Sequence, residues 1–447
     1  MGFIRAFFRF VAHDRCAPCR AICALALVPA ATGALAATDA GSDSAQSRRA
    51  APMQSAAAPS LSDLYSVAWE EIPMPESTPA NPHLVTPTSI ANDGTIAGMD
   101  ADGMLFWHPD TRTWEQVPRT LALAPVIISP DGSSALATGA PHAQPESTNV
   151  LTWNLATDWQ ALAGSDADQS TVYNVSRNFR FAVGAGGHLG EPSQAWVWDV
   201  DGGTQQLLST PDSAFNASAS AVSEDGRVVV GNETRFPQGG DWPESVAIRW
   251  VDGGPPTILR DPDGHELYGA TACNADCSII FGSGDIFSAP SWFLKSNGEF
   301  GSFGTLPDGE VVPYQYYVGD ASADGSLVAG IYSAKADPDN PYSNAYAYMP
   351  FLWTPATGLV SLRSLGIEVD WGDFLALRFS PDARHLLIGP ALDPWDERTR
   401  NWAVVVHLTP KASGPGPAPG HSSHGQPTPP APGPNRNLRA GSQAVAD

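Results

Sequence analysis

The sequence predicts an all-β protein: a seven-bladed β-propeller of four-stranded antiparallel blades, with its last blade closed by an N-terminal strand. Three observations predict this fold. A hairpin pattern returns seven times, and nearly every copy is followed by an aromatic strand, a turn and a short apolar strand. The 42 glycines and 41 prolines among 447 residues leave little room for long helices. Repetition of four short strands at this spacing is typical of propeller blades.

The hairpin is clearest in "AVSEDGRVVVGNE", residues 221–233. It predicts a short apolar strand, an Asp-Gly turn and a valine-rich strand that ends at Gly231. Asp-Gly tolerates the positive φ angles that tight hairpin turns require. The seven copies begin at residues 88, 127, 173, 220, 270, 320 and 377.

The two halves of each repeat differ in side-chain size. The first strand is rich in Ala and Ser, as expected where blades crowd around a central axis. Large aromatic side chains fit farther out, where the blades diverge. They are expected to fill the gaps between sheets at Trp153, Trp198, Trp250, Trp292 and Trp353.

Both ends of the repeat region are expected to meet in one blade. The seventh unit ends at "NWAVVVHLTP", 401–410, without a fourth strand, and an orphan strand "LYSVAWEEIP" occupies 64–73. Pairing of Val67–Glu71 with Val404–His407 would close the ring and cover an exposed edge. The alternative is six blades with a degenerate extra hairpin.

The beginning of the chain predicts export. Four arginines precede a 16-residue apolar run and the small residues of a cleavage site, which predicts a signal peptide at 1–37. An uncleaved anchor is the alternative. A linker is expected at 38–60, the propeller at 61–410 and a Pro/Gly-rich tail at 411–447. The predicted location is secreted or periplasmic.

Cysteine use agrees with an oxidising compartment. After the signal peptide, only Cys273 and Cys277 remain, and we expect a disulfide between them across the blade-five turn. There Cys277 occupies the slot that Gly226 fills in blade four. A free thiol pair is the alternative.

Net charge restricts the partners. Without residues 1–37 the chain has 20 basic and 46 acidic side chains, a net charge of −26. Such a field repels nucleic acid and anionic lipid. We predict a protein or glycan ligand, no nucleic acid, no membrane span in the mature chain, no cofactor and a monomer.

The blade consensus, small-x-Ser-x-Asp-Gly-x-Val-Val-Val-Gly followed by apolar-Arg-Trp, resembles the HAF-repeat family of bacterial extracellular proteins. Blade four, with "AVSEDGRVVVG" and "AIRW", carries the resemblance best, whereas the tripeptide His-Ala-Phe is absent. "FSPDARHLLIG" is similar to the repeat of TolB-type periplasmic propellers. Both resemblances imply an exported propeller.

The ligand site is predicted on one face. The first and third connections of each blade are tight, whereas the second connections and the crossovers vary in length on the opposite face. There, blades five to seven bring aromatic rings and carboxylates together, a combination suited to sugars. The predicted ligand-binding residues are Tyr314, Tyr316, Tyr317, Tyr332, Tyr342, Tyr346, Asp370, Trp371, Trp395 and Asp396. Alternatively, the rings pack the long loops onto the propeller.

Catalytic residues are not predicted, because the chain contains no GxSxG, HExxH or Walker motif. Paired carboxylates leave open an extracytoplasmic polysaccharide hydrolase or lyase. A purely structural surface protein is a third possibility. Asp-rich turns such as "DPDGHE" at 261 complete no calcium loop, so no metal site is assigned.

Overall fold

The computed structural model describes residues 59–75, 85–100, 103–117, 121–141, 149–154, 157–161, 169–188, 191–211, 215–236, 243–284, 291–304, 316–335, 346–367, 374–390 and 402–411. Within these residues, the β-strands form seven separate four-stranded antiparallel sheets. The first strands of neighbouring sheets contact each other in an unbroken cycle, and so they surround a central axis. The predicted seven-bladed propeller is confirmed.

The first six blades each take four consecutive strands. Blade one has β2 (Thr86–Ile90), β3 (Ile96–Asp100), β4 (Gly103–His108) and β5 (Thr113–Val117). Blade two has β6 (Leu121–Ile128), β7 (Ser134–Pro141), β8 (Asn149–Asn154) and β9 (Thr157–Ala161). Blade three has β10 (Gln169–Val175), β11 (Phe181–Gly187), β12 (Gln194–Asp199) and β13 (Thr204–Leu207).

Blade four has β14 (Asn216–Val222), β15 (Val228–Arg235), β16 (Glu244–Val251) and β17 (Thr257–Ile258). Blade five has β18 (Ala270–Cys273), β19 (Ile279–Gly282), β20 (Trp292–Lys295) and β21 (Phe300–Ser302). Blade six has β22 (Tyr316–Ala321), β23 (Val328–Lys335), β24 (Tyr346–Thr354) and β25 (Gly358–Ser361). A 3-10 turn (Leu362–Leu365) follows β25.

Blade seven closes the ring with both ends of the propeller. Its strand order is β1 (Tyr65–Pro73), β28 (Trp402–Pro410), β27 (His385–Pro390) and β26 (Phe374–Phe379), and a single helical turn, α1 (Leu61–Leu64), precedes β1. The register pairs Val67 with Leu408 and Glu71 with Val404. The closure is therefore as predicted, and the six-blade alternative is wrong.

The serine of the repeat explains why each hairpin turn keeps its shape. In blade four, the Ser223 hydroxyl accepts the backbone N–H of Val228 at 2.9 Å and donates to Asp225 Oδ1 at 2.6 Å. Asp225 in turn accepts the N–H of Arg227 at 3.0 Å. The same three bonds recur in other blades around Ser129, Ser322 and Ser380. The motif is thus a structural turn that satisfies buried polar groups.

The glycine that ends the repeat motif does not end its strand. We expected a stop at Gly231, but β15 continues to Arg235. A Cβ on Gly231 would overlap the backbone oxygen of Ser218 on the inner strand. At this level, each inner strand has a one-residue register shift against its neighbour. Gly231 permits the close approach of strands that accompanies this bulge.

The aromatic side chains of the later strands fill the gaps between blades, as predicted. Trp198 and Trp250 have no exposed surface, and Trp153, Trp292 and Trp353 are also buried. Apolar clusters join adjacent blades, so each blade is stabilised by burial against its neighbours.

Candidate functional site

The two faces of the ring differ in regularity. The "turn face" carries the first and third connections of each blade, and all seven first turns are described there. The "loop face" carries the second connections and the crossovers between blades. Most of those connections lie outside the described residues.

The first turns of neighbouring blades are joined by hydrogen bonds around the turn face. The N–H of Asn92 donates to the Pro130 oxygen at 3.0 Å, and the N–H groups of Glu224 and Ala275 donate to the next turn at 2.8 Å each. From blade seven back to blade one, the N–H of Asp382 donates to Asn92 Oδ1 at 2.9 Å. These bonds, called the collar below, fix neighbouring first turns to one another.

An ion pair crosses the axis within this collar. Arg177 of blade three lies 3.2 Å from Asp320 of blade six, and both side chains are mostly buried. The second oxygen of Asp320 accepts the backbone N–H of Phe379 in blade seven at 3.0 Å. One carboxylate therefore ties together three blades.

A second set of bonds links blades seven and three. Arg378 donates to Asn174 Oδ1 at 3.3 Å and to the Tyr173 carbonyl oxygen at 3.1 Å. Asn174 also donates to the Ser220 oxygen of blade four at 3.1 Å. These bonds span the central channel and brace opposite sides of the ring.

The cavity beside these side chains is small. It is lined by the inner-strand ends of all seven blades and measures about 70 Å³, whereas pockets for small molecules measure about 300–1,000 Å³. Tyr173 has 42% of its surface accessible, yet burial raises its pKa. The surface accessibility and the raised pKa are compatible if the Tyr173 ring lies in a narrow channel, where water reaches the ring but protein surrounds it. The cavity therefore suits water or an ion and is too small for a sugar.

Blade six holds the described part of the predicted ligand site. Tyr317, on the inner strand, is 51% exposed. Tyr316 begins β22 and Tyr346 begins β24, so both lie at loop-face strand ends, whereas Tyr332, the partner of Tyr316, lies within β23. The remaining predicted ligand residues lie outside the described residues: Tyr314, Tyr342, Asp370, Trp371, Trp395 and Asp396.

Tyr332 has a different environment from its exposed neighbour. It is only 5% exposed and packs in the apolar cluster between blades five and six. Its hydroxyl lies 3.1 Å from Ser361 Oγ. Tyr332 is therefore part of the packing between blades five and six.

An aromatic pair on blade four was missed in the sequence analysis. Phe215 and Phe236 are 47% and 42% exposed, and their rings meet edge to face with centroids 5.7 Å apart. Phe215 immediately precedes inner strand β14, much as Tyr317 lies near the start of β22, and its N–H donates to the Thr234 oxygen at 2.7 Å. An aromatic residue at the loop-face start of an inner strand is the signal that could have found it.

Charged side chains lie next to this aromatic pair. Arg235 pairs with Glu266, and it lies 3.7 Å from Glu233 and 3.9 Å from Glu244. Arg260 also pairs with Glu266, at 2.7 Å. The loop face of blade four thus combines exposed rings with a carboxylate cluster.

Glu233 is the unusual member of the cluster. It has no exposed surface, and its two carboxylate oxygens have no hydrogen-bond partner within the described residues. Burial raises its pKa, an effect opposed by Arg235. A carboxyl group with a raised pKa is a candidate acid, but this one is closed to substrate.

The cysteine pair has geometry that accepts a disulfide. The sulfurs of Cys273 and Cys277 are bonded across the blade-five turn. Cys277 has a φ of 50° and Gly226 a φ of 75°, so the two residues share the left-handed slot predicted for them.

One group of possible metal ligands lies in the crossover after blade four. Ligand atoms of Asp261, Asp263 and His265 all lie within 4.8 Å of one another. Asp261 already accepts the N–H groups of Asp263 and His265 at 3.0 and 2.8 Å. These bonds are ordinary turn chemistry.

Comparison with known proteins identifies no family. No protein-family model matches the chain, and no curated protein matches it significantly. Membership of the HAF-repeat family therefore stays a prediction.

Solved structures resemble the chain at the level of the fold. The β-propeller domain of the trilobed protease from Pyrococcus furiosus has a TM-score of 0.49 at 11% identity, covering 75% of this chain and 99% of that one. A chain of the mitotic checkpoint complex has a TM-score of 0.45 at 14% identity, covering 82% and 96%. TolB from Acinetobacter baumannii has a TM-score of 0.34 at 14% identity, covering 49% and 54%. Likeness at this level gives no indication of function, and the chain is established here as a seven-bladed β-propeller.

Proposed function

We propose that this protein is an exported β-propeller that binds a protein or a glycan through its loop face. The observation that carries the proposal is the difference between the faces. The first turns of the turn face are tied together by the collar, whereas the loop face exposes Tyr317 and the Phe215–Phe236 pair. Exposed aromatic residues are enriched at the centres of binding surfaces.

The two ligand classes draw on different parts of that face. Tyr317, together with predicted Trp371 and Trp395, offers rings that can cover the C–H face of a sugar. The edge-to-face pair of Phe215 and Phe236 beside Glu244 is better suited to an apolar or basic protein side chain, through burial and cation–π attraction.

Charge supports the same proposal. The net charge of −23 disfavours nucleic acid and anionic lipid as partners. Within the described residues, no helix is long and apolar enough to span a membrane. Residues 1–37, the predicted signal peptide, lie outside the described residues, so export remains part of the proposal; the Cys273–Cys277 pair fits an oxidising compartment.

The test measures binding of the full chain to a glycan array and to an array of extracellular proteins. Tyr317→Ala and the double variant Trp371→Ala, Trp395→Ala are compared with wild type for sugars, and Phe236→Ala for proteins. We expect each variant to lower the binding affinity for its own ligand class by about 30-fold. This corresponds to an interface hot spot of about 2 kcal/mol.

The matched control is Val251→Ala, an exposed apolar residue at the turn-face end of β16. It should bind as wild type does. No wild-type signal on the glycan array would remove sugars as ligands. Binding that persists in all loop-face variants but fails in Val251→Ala would place the site on the other face.

Cleavage of a polysaccharide by hydrolysis or elimination is the second candidate function, favoured only by the raised pKa of Glu233, whose buried carboxyl group would act only if the loop face opened. Glycoside hydrolysis needs a second carboxyl group about 5–9.5 Å away and open access for the sugar. Reducing-end release from polysaccharides that is lost in Glu233→Gln, with the fold retained, would favour the enzyme. Equal release by the variant would exclude Glu233 as its acid.

A further inference from the structure

Two histidines face each other in the closing blade. His385 begins β27 and His407 lies opposite it on β28. Their Nδ1 atoms are 2.9 Å apart, and the ring planes are nearly perpendicular at 87°. Neither residue belongs to the loop face, because both lie where β27 begins and β28 nears its end, at the turn face.

The distance between these nitrogens is close to that of two ligands on one metal ion. Zinc binds imidazole nitrogen at about 2.0–2.1 Å with tetrahedral angles, which places two such nitrogens about 3.3 Å apart. An opening of about 0.4 Å would seat the ion. Without a metal, a contact between two ring nitrogens requires one to carry a proton, and a metal ion would replace that proton.

The far side of the His407 ring faces a carboxylate. His407 Nε2 lies 3.4 Å from Glu70 Oε1 on β1, and Glu70 Oε2 accepts from Arg112 of blade one at 2.9 Å. Metal-binding histidines characteristically donate their second ring N–H to a carboxylate or a backbone carbonyl, which orients the ligand nitrogen.

The pair is also reachable by an ion. About a third of the His407 side chain is exposed, and the acidic chain attracts cations. Imidazole nitrogens select zinc, copper or nickel over calcium or magnesium. The sequence offered no sign of this pair, because 22 residues separate its members.

We propose that His385 and His407 bind one transition-metal ion, such as Zn²⁺, through their Nδ1 atoms, with water completing the coordination. The ion would join β27 to β28 in the blade that contains both ends of the propeller. Glu70 and Arg112 are positioning residues, which orient His407 from β1 and from blade one. The proposal does not depend on what the loop face binds.

The experiment titrates chelator-treated full chain with ZnCl₂ in a calorimeter and follows the melting temperature at increasing zinc. We expect one equivalent to bind and the melting temperature to rise. His385→Asn and His407→Asn should each weaken this binding at least tenfold. Glu70→Gln should weaken it about 10- to 100-fold while both ligands remain.

Control variants distinguish binding by the His385–His407 pair from binding by other histidines in the chain. His265→Asn removes the histidine of the blade-four crossover, and the double variant His421→Asn, His424→Asn removes those of the tail; both should keep the binding. X-ray absorption of the zinc-loaded wild type should show imidazole nitrogens at about 2.0–2.1 Å. Circular dichroism checks that every variant is folded.

Any one of three results would overturn the proposal. The first is the absence of zinc binding by the wild type. The second is unchanged affinity in folded His385→Asn and His407→Asn, and the third is loss of binding only in one of the controls.

Discussion

The two faces of this propeller are built from the same strands but held in different ways. On the turn face, each described first turn repeats the same local bonds, and the collar and the Arg177–Asp320 pair join the turns to each other. Toward the loop face, equivalent positions of the strands carry different residue types in different blades. Glu233 in blade four and Tyr332 in blade six both lie two residues beyond the strand glycine, Gly231 or Gly330.

This difference indicates where sequence change is tolerated. Side chains in the turn-face network are buried or bonded to a neighbouring blade, so a substitution there costs stability. Exposed loop-face side chains such as Phe236 have less packing to lose, and they are free to specify a ligand. Predicted effects of substitutions and of pH test this contrast, from the largest effect to the smallest.

Deleting residues 62–73 should cause the largest loss. Strand β1 pairs with β28 over its whole length, and Ile72 of β1 packs in the cluster between blades seven and one. Its removal exposes an unpaired edge and opens the ring. We expect no cooperative thermal transition above room temperature by circular dichroism, and a melting temperature equal to that of wild type would contradict the closure.

Gly231→Val should be strongly destabilising. The added carbons would overlap the Ser218 oxygen at the inner-strand bulge, and overpacking of this kind costs about 1–3 kcal/mol. Urea denaturation measures the loss. Gly254→Ala, in an exposed turn where the new carbon stands 3.1 Å from the Val251 oxygen, is the control; an equal loss there would show that the bulge is not the cause.

Ser223→Ala should cost about 1–3 kcal/mol, because it leaves the buried N–H of Val228 without its acceptor. Unfolding in urea at pH 7 measures this loss. Ser209, whose hydroxyl bonds the Gly254 oxygen at 3.3 Å at an exposed position, offers the matched control Ser209→Ala. A loss no greater than the control's would show that the turn serine is dispensable.

The same turn predicts a dependence on pH. The Ser223 hydroxyl and the Arg227 N–H lower the pKa of Asp225, and Ser129 does the same for Asp131. Because the unfolded chain takes up these protons at higher pH, the stabilisation is present above about pH 4 and is lost as the pH falls through the folded pKa. The free energy of unfolding should therefore decrease below pH 4, and less steeply in Ser223→Ala.

Ala383→Gly should stabilise the turn face slightly. Ala383 has a φ of 56° in the slot where Gly226 and Gly325 have φ values of 75° and 69°. A left-handed conformation costs a residue with a Cβ about 1–2 kcal/mol, part of which the flexibility of glycine in the unfolded chain offsets. We expect a gain of about 0.5–1 kcal/mol, and a loss of about that size for the converse change Gly298→Ala, which has open space around it.

Phe236→Ala on the loop face should change stability by less than about 0.5–1 kcal/mol, because much of the ring is exposed. Its thermal transition should almost coincide with that of wild type. A large destabilisation would mean that the Phe215–Phe236 pair holds the loop face together and would remove it as a binding surface.

Features that depend on neighbouring residues in the chain could be predicted from the sequence, whereas features that depend on contacts between strands could not. The hairpin turns and the small and large residues of successive strands repeat within each blade, so the blade count and the closing strand could be predicted. The predicted strand end at Gly231 was wrong, because β15 continues to Arg235. The glycine is needed there because the backbone of the neighbouring strand β14 approaches too closely for a side chain. The loop-face site stays a prediction: of its described residues, Tyr317 is exposed and Tyr332 is buried, and the sequence did not indicate the exposed Phe215–Phe236 pair.

The sequence by itself determined the repeating unit, its turn chemistry and the closure of the ring, because alternation and turn preference act over a few residues. Only the tertiary structure decided which distant side chains meet. Arg177 reaches Asp320 across 143 residues, and His385 meets His407 across the closing blade. The Arg177–Asp320 contact depends on the angle at which the blades stand around the axis, which is set by packing among all seven of them. The His385–His407 contact depends on the register of two strands within blade seven.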